Sequence, residues 1–313
     1  MILTVVPNPA LDKTVILAGF ELGKNYRATE ILTLAGGKGF NFARALQAFG
    51  QTTRLVALLG GFFGQRLLEL AHQEGLECDP QLTKAEVRTC LTIIDPTAAN
   101  RLTEVYENGA PLEPGDWQKL VDRAVRYFKQ ADLLAVCGSF PPGVPSNGLY
   151  ELVRRAKEAG LPVMLDTFGP QLEGVLELEP DLLKINQHEA GATVGREIAS
   201  PDQALVAAAE LKEKGVRQVV ITLGKEGAIG LTDEQKPFGW HSPEVAAISP
   251  IGSGDCFFAG LAASLAQGKS LPEAVRWGIA AGAANTLQIG AGRFSRSNLE
   301  QLYPLVLPLQ SGV

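Results

Sequence analysis

The residues with the clearest chemistry are Ser249-Pro250-Ile251-Gly252-Ser253-Gly254-Asp255. They are followed at once by Cys256-Phe257-Phe258-Ala259-Gly260, an apolar, small-residue run that reads as a buried helix starting near Asp255. Gly252 and Gly254 permit backbone angles that turn successive N–H groups into one concavity. A helix start adds its own unpaired N–H groups and the positive end of its dipole. Such a turn stabilises an anion, and a carboxylate at its rim can orient or deprotonate a hydroxyl. That pairing suits phosphoryl transfer to an alcohol, where positioning and charge stabilisation supply most of the catalysis. Taken alone, the same residues also describe an ordinary Asp-capped helix start.

A second glycine turn, Ala35-Gly36-Gly37-Lys38-Gly39-Phe40-Asn41, leads into a helix whose Phe42, Ala45, Leu46 and Phe49 share one face. The GxxxxGK[ST] spacing is absent, which disfavours a P-loop mechanism. Lys38 and Asn41 are instead placed to hold a substrate phosphate and hydroxyls, although a helix start with a solvated lysine fits the turn equally well. The chain has three histidines, His72, His188 and His241, and a histidine-based acid/base mechanism is not expected. Ser139 lies in Gly138-Ser139-Phe140-Pro141-Pro142 without a nucleophile elbow, which argues against hydrolase chemistry. A first strand that ends in Asn8-Pro9-Ala10-Leu11-Asp12, not GxGxxG, argues against a dinucleotide-binding oxidoreductase.

A length of 313 residues with 46% hydrophobic content supports a sizeable core in one large α/β unit or two domains. The net charge of −6 disfavours nucleic acid or an anionic membrane as partner, so an anionic substrate needs local cations. Cys78, Cys90, Cys137 and Cys256 are far apart, with no CxxC, which points to buried free thiols, a reduced cytoplasmic setting and no structural zinc. The opening Ile2-Leu3-Thr4-Val5-Val6 reads as a strand with no basic flank, and no apolar stretch approaches bilayer length.

These residues need elements to position them. Strand patterns at 54–59, 133–137, 162–166, 182–186 and 218–222 alternate with helical patterns at 116–129, 146–159 and 201–214. Such alternation predicts βαβ crossovers, a mainly parallel sheet and helices on both faces. Ligands should then bind outside the carboxyl ends of the strands. Residues 13–34 and 87–106 break the rhythm with strand-like alternation and no crossover helix. They predict a half-buried hairpin that stands off the core as a lid, a dimer surface, or both.

Gly36-Gly37-Lys38-Gly39-Phe40-Asn41-Phe42-Ala43-Arg44 and Ser249 to Gly260 resemble the two signature regions of the ribokinase-type, PfkB-family carbohydrate kinases. Asn8 to Asp12, Gly138 to Gly143, Lys184-Ile185-Asn186-Gln187-His188-Glu189 and Ile221-Thr222-Leu223-Gly224-Lys225-Glu226-Gly227 agree in order and separation over essentially the whole chain. The opening NPALD with GGKG and GSFPPG is most similar to the sugar-phosphate branch. The resemblance implies a single domain, 1–313, with a ribokinase-like three-layer α/β/α core and a small β lid. It implies an ATP- and Mg²⁺-dependent sugar-phosphate kinase, with fructose 1-phosphate as the leading substrate, then tagatose 6-phosphate and fructose 6-phosphate. A non-catalytic sugar-phosphate sensor is the alternative, disfavoured by the intact GSGD turn. Asp255 would be the base, and a weak one, because the helix dipole favours its charged form. Gly252, Ser253 and Gly254 would present N–H groups to the phosphoryl oxygens. Asp12, Gly37, Lys38, Asn41 and Arg88 would hold the substrate, with Ser139 and Lys24 as weaker contacts to its phosphate. Lys184, Asn186, Thr222, Gly224, Gly227 and Asn285 would serve the nucleotide, with Asn285 near the adenine. Glu189 and Asn186 would hold Mg²⁺ through water, although Ile185 stands where the family commonly has proline. The partner is a small-molecule sugar phosphate, and a homodimer would form through the lid.

Overall fold

Residues 2–6 are buried at every position, as befits a strand covered on both faces. This strand, β1 (Ile2–Val6), lies inside a nine-stranded sheet of the computed structural model, which describes residues 1–28 and 30–309. The other strands are β2 (Ala10–Ile16), β3 (Glu30–Gly36), β4 (Thr53–Gly60), β5 (Cys78–Thr83), β6 (Arg88–Asp95), β7 (Arg101–Tyr106), β8 (Leu133–Cys137), β9 (Val163–Asp166), β10 (Leu182–Asn186), β11 (Val219–Thr222), β12 (Ala228–Leu231) and β13 (Pro237–Trp240). The sheet runs β13-β12-β11-β10-β9-β8-β1-β4-β5 and is parallel except for β12 and β13.

Alternate side chains of the sheet feed two cores. Leu3, Val5 and Val136 pack beneath the helices Asp116–Val125, Gly148–Glu158 and Pro201–Glu213. Ile2, Ala135 and Cys137 face the opposite layer, built from Lys38–Ala48, Ser253–Ala266 and Leu271–Thr286. Phe42 and Phe258 are fully buried there with ring centroids 5.0 Å apart. Each such side chain contributes roughly 1.5–3 kcal/mol on burial, which fixes the two glycine-led helices against each other. The three-layer ribokinase-like α/β/α fold expected from the sequence is the fold observed. Among the described residues, no helix is long and apolar enough to cross a membrane. Cys90, Cys137 and Cys256 are buried free thiols, whereas Cys78 is only half-buried.

The lid is more than a hairpin. It is a separate four-stranded sheet, β3-β2-β6-β7, in which β2 and β6 pair in parallel while β2–β3 and β6–β7 are antiparallel pairs. Residues 17–28 carry no strand or helix. Asp95 ties this loop to the hairpin turn, because its carboxylate accepts from Gly19 N, Phe20 N and Thr97 N, each at 3.0 Å. Alternation gives the sheet two faces. Asp12, Thr14, Arg88, Cys90 and Thr92 turn toward a cavity over the strand ends. Val15, Ile31, Leu91, Ile93 and Val105 alternate with them, and Ile31 and Val105 remain exposed.

Candidate active site

The helix Ser253–Ala266 begins at Gly252, whose φ of 80° is left-handed. A Cβ at Gly252 would also lie 2.6 Å from Ala291 Cβ, so the turn requires glycine. Ser253 N donates to Pro250 O at 3.1 Å, and Asp255 N and Cys256 N donate to Gly252 O at 3.1 and 2.9 Å. Among the described residues, the N–H groups of Gly252 and Gly254 have no hydrogen-bond partner. The anion turn therefore offers two donors. The expected third, from Ser253, is taken up in closing the turn.

Asp255 is buried, and Asn41 Nδ2 donates to its Oδ2 at 2.9 Å. Arg44 Nη1 donates in turn to Asn41 Oδ1 at 3.1 Å, and its Nη2 donates to Ala35 O at 2.5 Å and Glu74 Oε2 at 2.6 Å. A buried chain from Glu74 through Arg44 and Asn41 thus fixes the carboxylate. Burial, helped by repulsion from Asp166, raises the Asp255 pKa from 3.8 to about 7, against the pull of Lys38, Asn41 and Lys184. This overturns the expected weak base. The helix dipole favours the anion, but desolvation and a neighbouring carboxylate outweigh it.

Asp166 was not among the residues singled out from the sequence, yet it lies at the centre of the charge network. It ends β9, is fully buried, and accepts from Lys38 Nζ at 3.0 Å and Lys184 Nζ at 3.2 Å. Burial opposes its charge, but the two lysines prevail and hold its pKa below the usual value. Lys38 also donates to Glu189 Oε1 at 3.2 Å. Burial alone would lower the Lys38 pKa, but Asp166, Glu189 and Asp255 override it and raise it. Lys38 is therefore bracketed by carboxylates and does not stand free for a substrate phosphate. Lys184 lies nearer the anion turn, since a Cβ on Gly254 would fall 3.2 Å from its Nζ. Asn186 and Glu189 form a reciprocal capping box: Glu189 N donates to Asn186 Oδ1 at 2.9 Å and Asn186 N to Glu189 Oε2 at 3.1 Å. Glu189 lines the cavity, with its Oε1 accepting from Lys38. Among the described residues, no cluster of three or more His, Cys, Asp or Glu could hold a metal directly.

One wall of the cavity, about 690 Å³, is formed by the four-stranded sheet. Asp12 on β2 reaches into the cavity and accepts from Gly37 N at 3.4 Å. A Cβ on Gly36 would fall inside the Asp12 carboxyl group, so any side chain there would displace that carboxylate. Burial raises the Asp12 pKa to about 6 against the pull of Gly37 N–H, Arg44 and Arg88. Arg88 donates to Glu107 O at 3.2 Å and Asn8 O at 3.4 Å, while its buried Nε has no partner among the described residues. Asn8 Nδ2 donates to Ser139 Oγ at 3.0 Å, which places both at the same wall. Asp12, Gly37, Lys38, Asn41, Arg88, Ser139, Lys184, Asn186, Glu189 and Asp255 are thus brought together. Lys24 is not. It is exposed in the 17–28 loop and paired with Glu21 at 2.6 Å.

A second, more open cavity of about 1040 Å³ adjoins the first, and Thr222, Gly224 and Gly254 line both. Ser253 and Gly227 line only this groove. Asn285, expected near an adenine, lines neither cavity. It is buried beneath the anion turn, donates to Ile251 O at 2.8 Å and Ser253 Oγ at 3.2 Å, and accepts from Gly292 N at 2.9 Å. Its helix presents Gly282, Ala283 and Thr286 to the groove, and residue 285 is rotated off that face by the helical repeat. Asn285 therefore braces the turn from below.

A buried carboxylate beside a glycine-led helix start, in a polar cavity that adjoins a second groove, is an arrangement suited to phosphoryl transfer. The sequence pattern of the pfkB family carbohydrate kinases matches residues 8–298, and the chain belongs to that family. It is 28% identical over 306 residues to a tagatose-6-phosphate kinase of Staphylococcus epidermidis, which covers 97% of each chain. It is 30% identical over 304 residues to the ATP-dependent 6-phosphofructokinase isozyme 2 of Escherichia coli, covering 96% of this chain and 97% of that one. A structure of the tetrameric inhibited form of phosphofructokinase-2 from Escherichia coli superposes with a TM-score of 0.88 at 30% identity, covering 97% of this chain and 98% of the other.

Proposed function

We propose that this enzyme transfers the γ-phosphoryl group of ATP to a hydroxyl of a ketohexose monophosphate. The observation that carries the reading is Gly254, which lines both cavities, with Asp255 next to it in the first. The open groove takes the nucleotide, with its phosphates toward Thr222, Gly224 and the free Gly254 N–H. The lidded cavity takes the sugar phosphate, with Asp12 accepting from its hydroxyls. Arg88 and the Asn8–Ser139 pair receive the phosphate already on the sugar, since Arg88 keeps an unpartnered buried Nε. Asp255 accepts the hydroxyl proton as the oxygen attacks the γ-phosphorus. Lys184, beside Gly254, faces the charge that develops on the transferring group.

Magnesium fits this donor set only at a distance. Glu189 presents a hard oxygen, no three-carboxylate cluster exists among the described residues, and Mg²⁺ commonly keeps several waters. Glu189, with Asn186 behind it, would hold such a hydrated ion, whose chemistry is to neutralise the nucleotide phosphates. The two relatives are both named for 6-phosphorylated sugars, which moves the first choice from fructose 1-phosphate to a ketohexose 6-phosphate. The outer lid face, with Val15, Ile31, Leu91, Ile93 and Val105 in one apolar patch, is read as a face between two copies of this chain.

The decisive assay is coupled ADP release with fructose 6-phosphate, tagatose 6-phosphate, fructose 1-phosphate and unphosphorylated fructose. One phosphorylated sugar is expected to exceed fructose in kcat/KM by about 100-fold or more, because each charge-assisted hydrogen bond contributes roughly 1.5–3 kcal/mol. Equal turnover of fructose would sink the sugar-phosphate assignment. No ADP release with any acceptor would sink the kinase assignment.

A further inference from the structure

Part of the groove wall is built from the last part of the described chain. After the helix Arg296–Leu302, residues 303–309 run back along the outer edge of the nine-stranded sheet. His241 N donates to Leu307 O at 2.7 Å, Leu309 N donates to Gly239 O at 3.0 Å, and Trp240 and Pro308 form an antiparallel bridge. The segment thus acts as a strap that covers the free edge of β13. Val306 is fully buried, while Leu305 and Leu307 on either side of it are 54% and 60% exposed and line the groove.

One side chain fixes the strap. The Arg276 guanidinium lies between two rings, 4.7 Å from the centroid of Trp240 and 4.5 Å from that of Tyr303. Trp277 stacks on Tyr303 from the next position, with centroids 4.0 Å apart. Arg276 Nη2 also donates to Val306 O at 3.2 Å and, more weakly, to Tyr303 O at 3.5 Å. A planar cation within cation–π distance of two rings and hydrogen-bonded to the strap carbonyls is a fixed anchor that lysine, a point charge without the guanidinium fork, would not reproduce.

The groove is asymmetric along its length. Its catalytic end, shared with the sugar cavity, is formed by Thr222, Gly224 and Gly254. Leu305, Leu307, Val245 and Ile279 line the groove and not the sugar cavity, beside the polar His241, Ser242 and Glu244. A ligand that joins phosphates to a flat ring with polar edges matches that mixed lining. We propose that residues 303–309 form the base wall of the groove, with Leu305 and Leu307 packing on the purine and Arg276 acting as the positioning residue that docks the strap. The proposal rests on the reading of the groove as the nucleotide site.

The test uses the full chain with Arg276→Ala, Arg276→Lys, Leu305→Ala and Leu307→Ala, and with ATP and inorganic tripolyphosphate as probes. Leu305 and Leu307 are exposed, so their truncation leaves the core untouched. Each Leu→Ala variant and Arg276→Ala should raise KM for ATP by about 5- to 20-fold, as expected for loss of apolar cover on one ring face. The kcat should change by less than the KM, and Arg276→Lys should recover only part of the loss. Competitive inhibition by tripolyphosphate, which has no base, should stay within twofold of wild type. Unchanged KM for ATP in both leucine variants overturns the proposal. A matching loss of tripolyphosphate affinity also overturns it, because the strap would then support the whole groove. If tripolyphosphate fails to compete with ATP in the wild-type enzyme, the nucleotide reading of the groove falls first, and the proposal falls with it.

Discussion

Asp255→Asn should inactivate this enzyme and stabilise it. The substitution keeps the shape and leaves an oxygen to accept from Asn41, but it removes the buried charge. The Asp255 pKa rises from 3.8 to about 7 on folding, so between those values the folded chain binds more protons than the unfolded one. Stability from this group therefore falls as pH rises, and its cost is full above pH 7 and absent below about pH 4. At 1.36 kcal/mol per pH unit, the cost at pH 8 is on the order of 4 kcal/mol, a ceiling because the new amide must still be satisfied in a buried site. With about 2 °C per kcal/mol for a chain of this size, the variant should melt roughly 3–8 °C higher at pH 8. That gain should shrink steadily toward pH 5. In the same preparation kcat should drop by about 10²–10⁴-fold, as loss of a positioned base requires. Wild-type kcat/KM should rise with pH through about 7, because only the ionised carboxylate accepts the hydroxyl proton. Thermal melts at pH 8, 6.5 and 5, run beside an ADP-release assay, decide the matter. A variant no more stable than wild type at pH 8, or equally stabilised at every pH, would refute the desolvated base. Retention of more than about a tenth of kcat would refute its role in proton transfer.

Arg88→Ala should raise KM for the sugar phosphate by about 10- to 100-fold while KM for ATP moves less than threefold; equal change in both would reduce Arg88 to lid structure. Lys38→Ala should behave differently, lowering both kcat and Tm, because Asp166 and Glu189 lose the cation between them; a pure KM effect on the sugar phosphate would restore Lys38 to the substrate-phosphate site. Light scattering should give a mass above that of one chain, and Ile31→Asp with Val105→Asp should lower it; a wild-type monomer at micromolar concentration removes the lid as an interface.

The interior of the fold was legible because burial on both faces leaves an apolar run that few other elements produce. The pattern at 133–137 and that at 182–186 coincide with β8 and β10. The edges were not legible. β5 contains Asp79 and Pro80, and β13 begins at Pro237 and contains Gly239, so each reads as a turn. β5 tolerates such residues because one side of its ladder is unpaired, and β13 because Pro237 is its first residue and its outer side meets only the short 307–309 segment. In the site, glycine turns announced the anion-binding helix start, since few other sequences allow it. Arg44 and Asp166 were missed, although each carried a signal. Arg44 is the single charge in the stretch Phe40 to Leu46, whose other residues except Asn41 are apolar, and Asp166 closes the apolar Val163-Met164-Leu165. A charge buried among apolar neighbours must be paired, and that rule marks both as members of a network.

The sign of the Asp255 shift shows what no local pattern could have shown. The dipole of its own helix is a property of adjacent residues, and it argues for an acidic carboxylate. The opposing contributions come from elsewhere in the chain. Asp166 lies on β9, Asn41 on the helix Lys38–Ala48, and desolvation comes from the packing of both layers. Two lysines shared by Asp166 temper the repulsion without abolishing it, so Asp255 remains anionic only from about neutral pH upward. A phosphoryl group arriving beside Gly254 brings more negative charge, which raises the proton affinity of Asp255 further. A higher proton affinity would make each ionised Asp255 a stronger base but leave fewer sites ionised at pH 7, so the acid limb of the pH profile should move upward when the nucleotide is bound.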